Sequence, residues 1–151
     1  MSIEKDLQQR TPFADEYQRG MVNLLYTSQY VTAILQDFYK SQDITLKQFN
    51  ILRILKGAGK PLSTQTIRER MIDRMSDISR IVDRLVTKGL VAKCTNSNDK
   101  RLVDISLTNS GLQLVDTVSD QLSKTTPILS GLSAAEAEQL NQLLDKVRGY
   151  Q

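Results

Sequence analysis

Residues 76–88 carry the most regular helical pattern in the chain, and this pattern limits how the middle of the chain can fold. On a helix, its apolar positions fall within about 100° of arc: Ile78, Ile81, Val82 and Leu85. The polar and charged side chains occupy the opposite side. Ser76 is the predicted N-cap, and Gly89 is the predicted left-handed stop. The segment therefore predicts a helix that packs on one face and exposes the other.

Two strand-like segments, 90–95 and 102–108, come directly after this helix. In the second segment every other residue is apolar, which is typical of a half-buried strand. The residues between them, 96–101, are rich in Asn, Ser and Asp, and these residue types favour turns. The sequence therefore predicts a β-hairpin after the amphipathic helix.

Three more helices are predicted before this unit. Their ranges are 13–40, 45–57 and 64–71. Thr45 and Gln48 fit a capping box at the start of the second, and Ser63 fits an N-cap for the third. From residue 45 to residue 108, the predicted order is three helices, at 45–57, 64–71 and 76–88, followed by the hairpin.

The two ends of the chain predict helical arms. The helix at 13–40 is apolar on more than one face, and a helix of this kind must be covered on several faces. Two helices, 108–124 and 134–148, follow the hairpin, and Ser133 and Glu136 fit a capping box for the second. Because so short a chain has little material to cover these helices alone, we expect a second subunit.

Charge is distributed unevenly. Residues 60–101 hold ten Lys or Arg against five acidic residues, a net charge of +5, whereas the rest of the chain has −2. A basic middle suggests a surface that faces phosphates. The alternative is a solvated helical surface of mixed charge.

Composition argues against several kinds of site. Histidine is absent, so neither a Ser-His-Asp site nor a histidine zinc site can be built, and we expect no catalytic residues, no metal and no cofactor. The single cysteine, Cys94, excludes an intrachain disulfide framework. No apolar run approaches the roughly 20 residues that span a bilayer, and residues 1–10 contain no apolar signal region. We expect a cytoplasmic protein without a membrane partner.

The helices at 64–71 and 76–88 form a candidate helix-turn-helix, a motif that lays its second helix in the major groove of DNA. That helix has donors on its outward face, and those near its N-terminus are placed for base contacts, whereas the later cations are placed for phosphates. The predicted contact residues are Ser76, Asp77, Ser79, Arg80, Arg84 and Lys88. The alternative is an ordinary amphipathic surface helix.

The predicted hairpin has a charged tip made of Asp99, Lys100 and Arg101. An arginine on such a tip can reach the minor groove beside the helix, where the negative potential is concentrated. The alternative is a solvent-exposed turn, where these residue types are common.

Residues 99–111 resemble the wing signature of MarR-type regulators, D-x-R-x-x-x-(I/V/L)-x-L-T-x-x-G, and residues 79–91 resemble the recognition helix of that family. The resemblance implies that Arg101 enters the minor groove and that Asp99 holds basic side chains in place. It places Arg80 and its neighbours in the major groove.

The resemblance also implies a fold that is mainly α with a small β-hairpin wing, a winged helix-turn-helix with N- and C-terminal dimerisation arms. The expected regions are an N-terminal dimerisation region at 1–44, the DNA-binding domain at 45–108 and C-terminal dimerisation helices at 109–151. The implied partners are double-stranded DNA, a second copy of the chain and a small aromatic or phenolic effector. The implied function is that of a ligand-responsive repressor on a pseudo-palindromic operator.

Tyr26, Tyr30 and Phe38 are candidate residues for an effector pocket, with dimer core as the alternative. Cys94 falls in the first wing strand, away from the first helix where some relatives carry an oxidant-sensing cysteine, so we expect an inert thiol. Two other functions remain open: a winged helix that contacts proteins only, and an enzyme that uses carboxylates or Ser/Thr.

Overall fold

The computed structural model describes residues 2–96, 99, 102–125 and 128–149. Within these ranges the helices are α1 (Ile3–Asp6), α2 (Glu16–Ser41), α3 (Leu46–Ala58), α4 (Thr64–Arg70), α5 (Ile78–Thr87), α6 (Asn109–Thr125) and α7 (Ala134–Val147). The strands are β1 (Leu62–Ser63), β2 (Val91–Thr95) and β3 (Val103–Leu107). The fold is therefore mainly helical with a small sheet, as the sequence predicts.

The helix ends follow local capping chemistry. Thr45 and Gln48 form the predicted capping box of α3, and Ser133 and Glu136 form that of α7. Ser63 caps α4 by accepting a hydrogen bond from the backbone N–H of Thr66. These caps satisfy N–H groups that have no partner within their own helix.

The hydrophobic core gathers around α3. Ile51 and Leu52 of this helix are fully buried, and the helix contacts α2, α4, α5, α6 and β3. Ile67 of α4, Leu85 of α5 and Ile105 of β3 are also fully buried in the same cluster. Burial of aliphatic side chains of this size contributes about 1.5–3 kcal/mol each, so this cluster holds α4, α5 and the sheet in one unit.

The sheet has three strands in the order β1–β3–β2, all antiparallel. In the predicted hairpin, Val91 faces Leu107 and Thr95 faces Val103. The sequence analysis did not predict β1, which pairs Leu62 with Ile105. This third strand ties the hairpin to the segment between α3 and α4.

The helical arms expose much of their apolar surface in the single chain. Along α2, six large apolar side chains are exposed: Tyr17, Met21, Leu24, Leu25, Tyr26 and Tyr30. On α7, Leu143 and Val147 are exposed as well. Isolated exposed apolar side chains are ordinary, but a series along one helix marks an interaction surface. In the described ranges, no helix is long and apolar enough to cross a membrane.

Candidate nucleic-acid interface

In the unit formed by α4 and α5, the α5 helix packs one face into the core and exposes the other. Ile78, Val82 and Leu85 of α5 are at most 1% exposed and pack into the core. The opposite face is exposed, as the amphipathic pattern predicts: Asp77, Ser79, Arg80, Asp83, Arg84 and Thr87. The buried face therefore fixes the direction of the polar face.

The turn between α4 and α5 is anchored by Asp73. Its carboxylate accepts hydrogen bonds from the Ser76 hydroxyl (2.9 Å) and the Met75 N–H (3.0 Å), and it pairs with Lys47 Nζ of α3 at 2.8 Å. The hydrogen bond from Lys47 is the main cause that lowers the pKa of Asp73, and the bonds from Ser76 and Met75 add to it. The backbone that leads into α5 is thus tied to α3.

The predicted N-cap of α5 is wrong by one residue. Ser76 is buried, 6% exposed, and its hydroxyl is bonded to Asp73. Asp77 caps the helix instead, because its carboxylate accepts the N–H of Arg80 at 3.2 Å. Both residue types suit an N-cap, so the local sequence did not distinguish them. The prediction that Ser76 contacts DNA stays a prediction, and its burial disfavours it.

The outward face of α5 carries a net positive charge. Among the described residues, the guanidinium groups of Arg80 and Arg84 have no hydrogen-bond or ion-pair partner, so both are available to a ligand. Asp83, the acid on the same face, pairs with Lys93 of β2 at 2.6 Å. This pair offsets the negative charge that would otherwise oppose phosphates on that face.

Lys88, predicted to meet phosphates, lies just after α5 and has an intramolecular partner. Its Nζ pairs with Asp43 Oδ2 at 2.9 Å and also donates to the carbonyl oxygen of Asp43. Asp43 has a φ of 54° in the loop between α2 and α3. Lys88 therefore links the end of the outward helix to the end of the long arm, and its role on DNA stays a prediction.

The wing stands beside α5 on β2 and β3. Asp99 is exposed, its N–H donates to Asn96 Oδ1 (2.9 Å), and its carbonyl accepts the N–H of Leu102 (2.9 Å). Lys100 and Arg101, the predicted minor-groove residues, lie outside the described residues. Of the predicted wing tip, the structure therefore places only Asp99.

The base of the wing is fastened to α6 by a close backbone contact. The Thr108 hydroxyl donates to the Gly89 carbonyl at 2.7 Å and accepts the Gly111 N–H at 3.1 Å. At Gly111, a Cβ atom would lie 2.1 Å from the Leu90 carbonyl oxygen. Only glycine leaves room for this contact, so the threonine and the glycine of the L-T-x-x-G pattern have a structural reason.

A cleft of about 620 Å³ lies between the end of α2, the start of α3 and the turn before α5. Apolar Ile44, Leu46 and Ile72 and cationic Lys40 and Arg84 are among its lining residues. The three predicted pocket residues are elsewhere: Tyr26 and Tyr30 are exposed on α2, Phe38 is half-buried, and none of them lines this cleft. Their part in a pocket stays a prediction.

In the part of the chain that the structure describes, no group of three or more Cys, Asp and Glu residues could hold a metal ion. The half-buried Cys94 thiol lies 3.4 Å from the carbonyl oxygen of Asp104. The arrangement is suited to binding an extended anionic partner.

Several known proteins are similar to this chain in sequence and in fold. A model described as the MarR family matches residues 42–102. The multiple antibiotic resistance protein MarR of Escherichia coli (strain K12) is 29% identical over 116 residues, which cover 76% of this chain and 80% of that protein. The HTH-type transcriptional repressor MdtR of Bacillus subtilis (strain 168) is 38% identical over 72 residues, 48% of this chain and 46% of that protein. The crystal structure of a mutant MarR from E. coli, complexed with operator DNA, matches with a TM-score of 0.78 at 25% identity, covering 91% of this chain and 99% of that chain.

This chain is similar to MarR-family proteins in sequence and in fold. The predicted resemblance to this family is confirmed, as is the expected fold class. The α5 helix and the β2–β3 hairpin lie where the sequence analysis predicted the recognition helix and the wing, whose contacts with DNA stay predictions. The predicted boundaries at 45 and 108 are not tested by the matched range and stay predictions.

Sequence reasoning missed the anchor of the recognition helix. Asp side chains often accept a hydrogen bond from the backbone N–H two residues ahead. Because Asp73 lies between the predicted helices at 64–71 and 76–88, its contact with the Met75 N–H could have been predicted. Lys47 carried no such signal, because it lies in a different helix and only the tertiary fold brings it to Asp73.

Proposed function

We propose that this protein is a sequence-specific DNA-binding transcriptional regulator that binds an inverted-repeat operator as a homodimer. The observation that carries the proposal is the outward face of α5, where Arg80 and Arg84 are exposed on a helix whose other face is fixed in the core. A helix of this kind fits the major groove, which is wide enough to accept it.

The MarR relative that was solved with operator DNA supports the same use of this fold here. Residues at the N-terminal end of α5, Asp77, Ser79 and Arg80, face base edges in this proposal. Arg84 faces phosphates. Arg101, with Lys100 and Asp99 beside it, reaches the adjacent minor groove from the wing.

The exposed apolar surface on α2 and α7 supports a dimer. Tyr17 is 90% exposed and Val147 is 71% exposed in the single chain, and a second subunit would cover both arms. Two-fold symmetry then presents two copies of α5 to the DNA. The half-sites of the operator would lie about one helical turn apart, roughly 34 Å.

The cleft beside α5 is the place that best fits an effector. Its volume, about 620 Å³, falls in the range of small-molecule sites. Apolar Ile44 and Leu46 suit an aromatic ring, while Lys40 and Arg84 suit a phenolate or carboxylate. Because Arg84 belongs to both the cleft and the DNA-facing surface, a bound anion would compete with phosphate for it. Such differential affinity is what a ligand needs to release DNA.

Regulation by this mechanism is repression through occupancy of a promoter, with relief by the effector. The protein acts by binding and carries out no chemical turnover. In this proposal the protein acts in the cytoplasm, where its operator DNA lies.

The test is operator binding as a function of salt, measured by fluorescence anisotropy for three variants. Arg80→Ala lowers affinity for the operator by about tenfold or more and affects random DNA less, because removing a base contact costs about 1–3 kcal/mol. Arg84→Ala weakens binding to both and lowers the salt slope by about 1 for each phosphate that is no longer neutralised. Arg10→Ala, on the exposed N-terminal segment, is the matched control and leaves both unchanged.

Unchanged affinity in both the Arg80 and Arg84 variants would remove α5 from the interface. Absence of salt-dependent binding to any duplex would contradict the proposed function and would favour a winged helix that contacts only proteins.

A further inference from the structure

Met75, in the turn before α5, has the most exposed large apolar side chain of the described residues. It is 93% exposed and stands two residues before the N-cap Asp77. A side chain with so little contact adds nothing to the core. The backbone and the charged side chains near Met75 therefore determine which partner it could bind.

The backbone of Met75 is nevertheless held in place. Its N–H donates to Asp73 Oδ1 at 3.0 Å, and the same carboxylate holds the hydroxyl of Ser76 (2.9 Å) and Lys47 of α3 (2.8 Å). An exposed side chain on an anchored turn loses less entropy on binding than one on a loose loop, since its backbone is already ordered. The turn thus presents Met75 at the N-terminal end of α5, the end that faces base edges in the proposed function.

The segment 70–80 around Met75 carries a net positive charge. Arg70, Arg74 and Arg80 are exposed, and among the described residues their guanidinium groups have no ion-pair partner. The two acids of the segment are engaged, because Asp73 pairs with Lys47 and Asp77 caps α5. An isolated apolar side chain among arginines fits a partner that is apolar at one point and anionic around it. The major-groove edge of a thymine offers this combination, because its C5-methyl group lies between two phosphate backbones.

We infer that Met75 reads the methyl group of a thymine in each operator half-site. The inference rests on the proposed function and adds a specificity-determining residue to it. The flexible, polarisable thioether chain of methionine adapts well to such a contact. Ile72, the other large apolar residue of the turn, is 81% exposed but lines the cleft toward α2, so it is not part of this contact.

The experiment uses the full-length protein and an operator selected from a random duplex library. Each thymine is replaced, symmetrically in both half-sites, by deoxyuridine, which removes only the methyl group. At one position the wild-type protein is expected to lose about fourfold in affinity per half-site, about fifteenfold for both, which is the effect of one buried methyl group. Met75→Ala binds the unmodified operator more weakly and loses nothing further on replacement.

Two more variants separate the contact from a general effect. Met75→Leu keeps an apolar side chain and keeps the sensitivity to deoxyuridine. Leu129→Ala, the matched control at an exposed leucine far along the chain from α5, keeps the wild-type pattern.

The inference is overturned if deoxyuridine has no effect at any position, if the selected half-site contains no thymine, or if Met75→Ala loses as much as the wild type. In each of these cases the operator itself remains and the proposed function stands. Failure to select any operator would remove the proposed function, and this inference with it.

Discussion

Replacing Gly111 with alanine tests the joint between the wing and α6. The added Cβ would lie 2.1 Å from the Leu90 carbonyl oxygen and 2.9 Å from Leu107 Cδ1. The carbonyl would have to move away by roughly 1 Å or more to reach an ordinary contact distance. That carbonyl accepts the N–H of Thr108 at 3.2 Å, and the Thr108 hydroxyl bonds Gly89 and Gly111, so the movement weakens this small network. Overpacking costs about 1–3 kcal/mol and each hydrogen bond about 1 kcal/mol, so we expect a loss of about 2–4 kcal/mol.

The assay is urea unfolding followed by circular dichroism at one fixed protein concentration, because dimer formation couples stability to concentration. With a slope of about 2 kcal/mol per M, the unfolding midpoint of Gly111→Ala falls by about 1–2 M. Gly57→Ala is the matched control, since Gly57 lies within α3 and a Cβ there meets nothing within 4 Å. This control gains up to about 1 kcal/mol from helix propensity. A midpoint for Gly111→Ala equal to that of the wild type would refute the steric reasoning.

Three further outcomes follow from the same account. Arg101→Ala weakens DNA binding without changing the thermal unfolding midpoint, and unchanged affinity at moderate salt would contradict the wing assignment. Because the folded pKa of Asp73 lies below its ordinary value, its bonds stabilise the fold above about pH 4, and this contribution is lost as the pH falls through the lower folded pKa. In Asp73→Asn the unfolding free energy therefore decreases less between about pH 5 and about pH 3 than in the wild type, and an identical decrease would exclude the anchor. The isolated fragment 45–120 is monomeric by light scattering, since dimerisation belongs to the arms, and a stable dimer of it would overturn that division.

Much of the fold could be predicted because its strongest signals are local. The apolar positions of α5 recur at helical spacing, and the same residues are buried in the structure, Ile81 only partly. The capping boxes at Thr45 and Ser133 set two helix starts through contacts three residues apart. Gly89, predicted as a left-handed stop, has a φ of 69°.

The features that were missed depend on tertiary contacts or on very short segments. β1 has only two residues, too few to show alternation, and it exists because it pairs with β3. α1 has only four residues, and its buried Ile3 carries no periodicity. Lys88 is placed by Asp43, which is distant in sequence, so its ion pair left no pattern to read.

The candidate site divides in the same way. The outward face of α5 follows from local periodicity, so Arg80 and Arg84 were found at sequence level and are exposed in the structure. The cleft residues could not be predicted from the sequence, because the cleft is formed by the end of α2, the start of α3 and the turn between α4 and α5, which only the tertiary fold brings together. The sequence argument chose aromatic residues on α2 instead, and two of these lie on its exposed surface.

The central claim is that the paired α5 helices read a symmetric DNA sequence. The most direct measurement is selection of bound sequences by the full-length protein from a random duplex library, followed by sequencing. The account predicts an enriched inverted repeat whose half-site centres are about 10 base pairs apart. Salt-sensitive binding without an enriched sequence, or no binding at all, would contradict it.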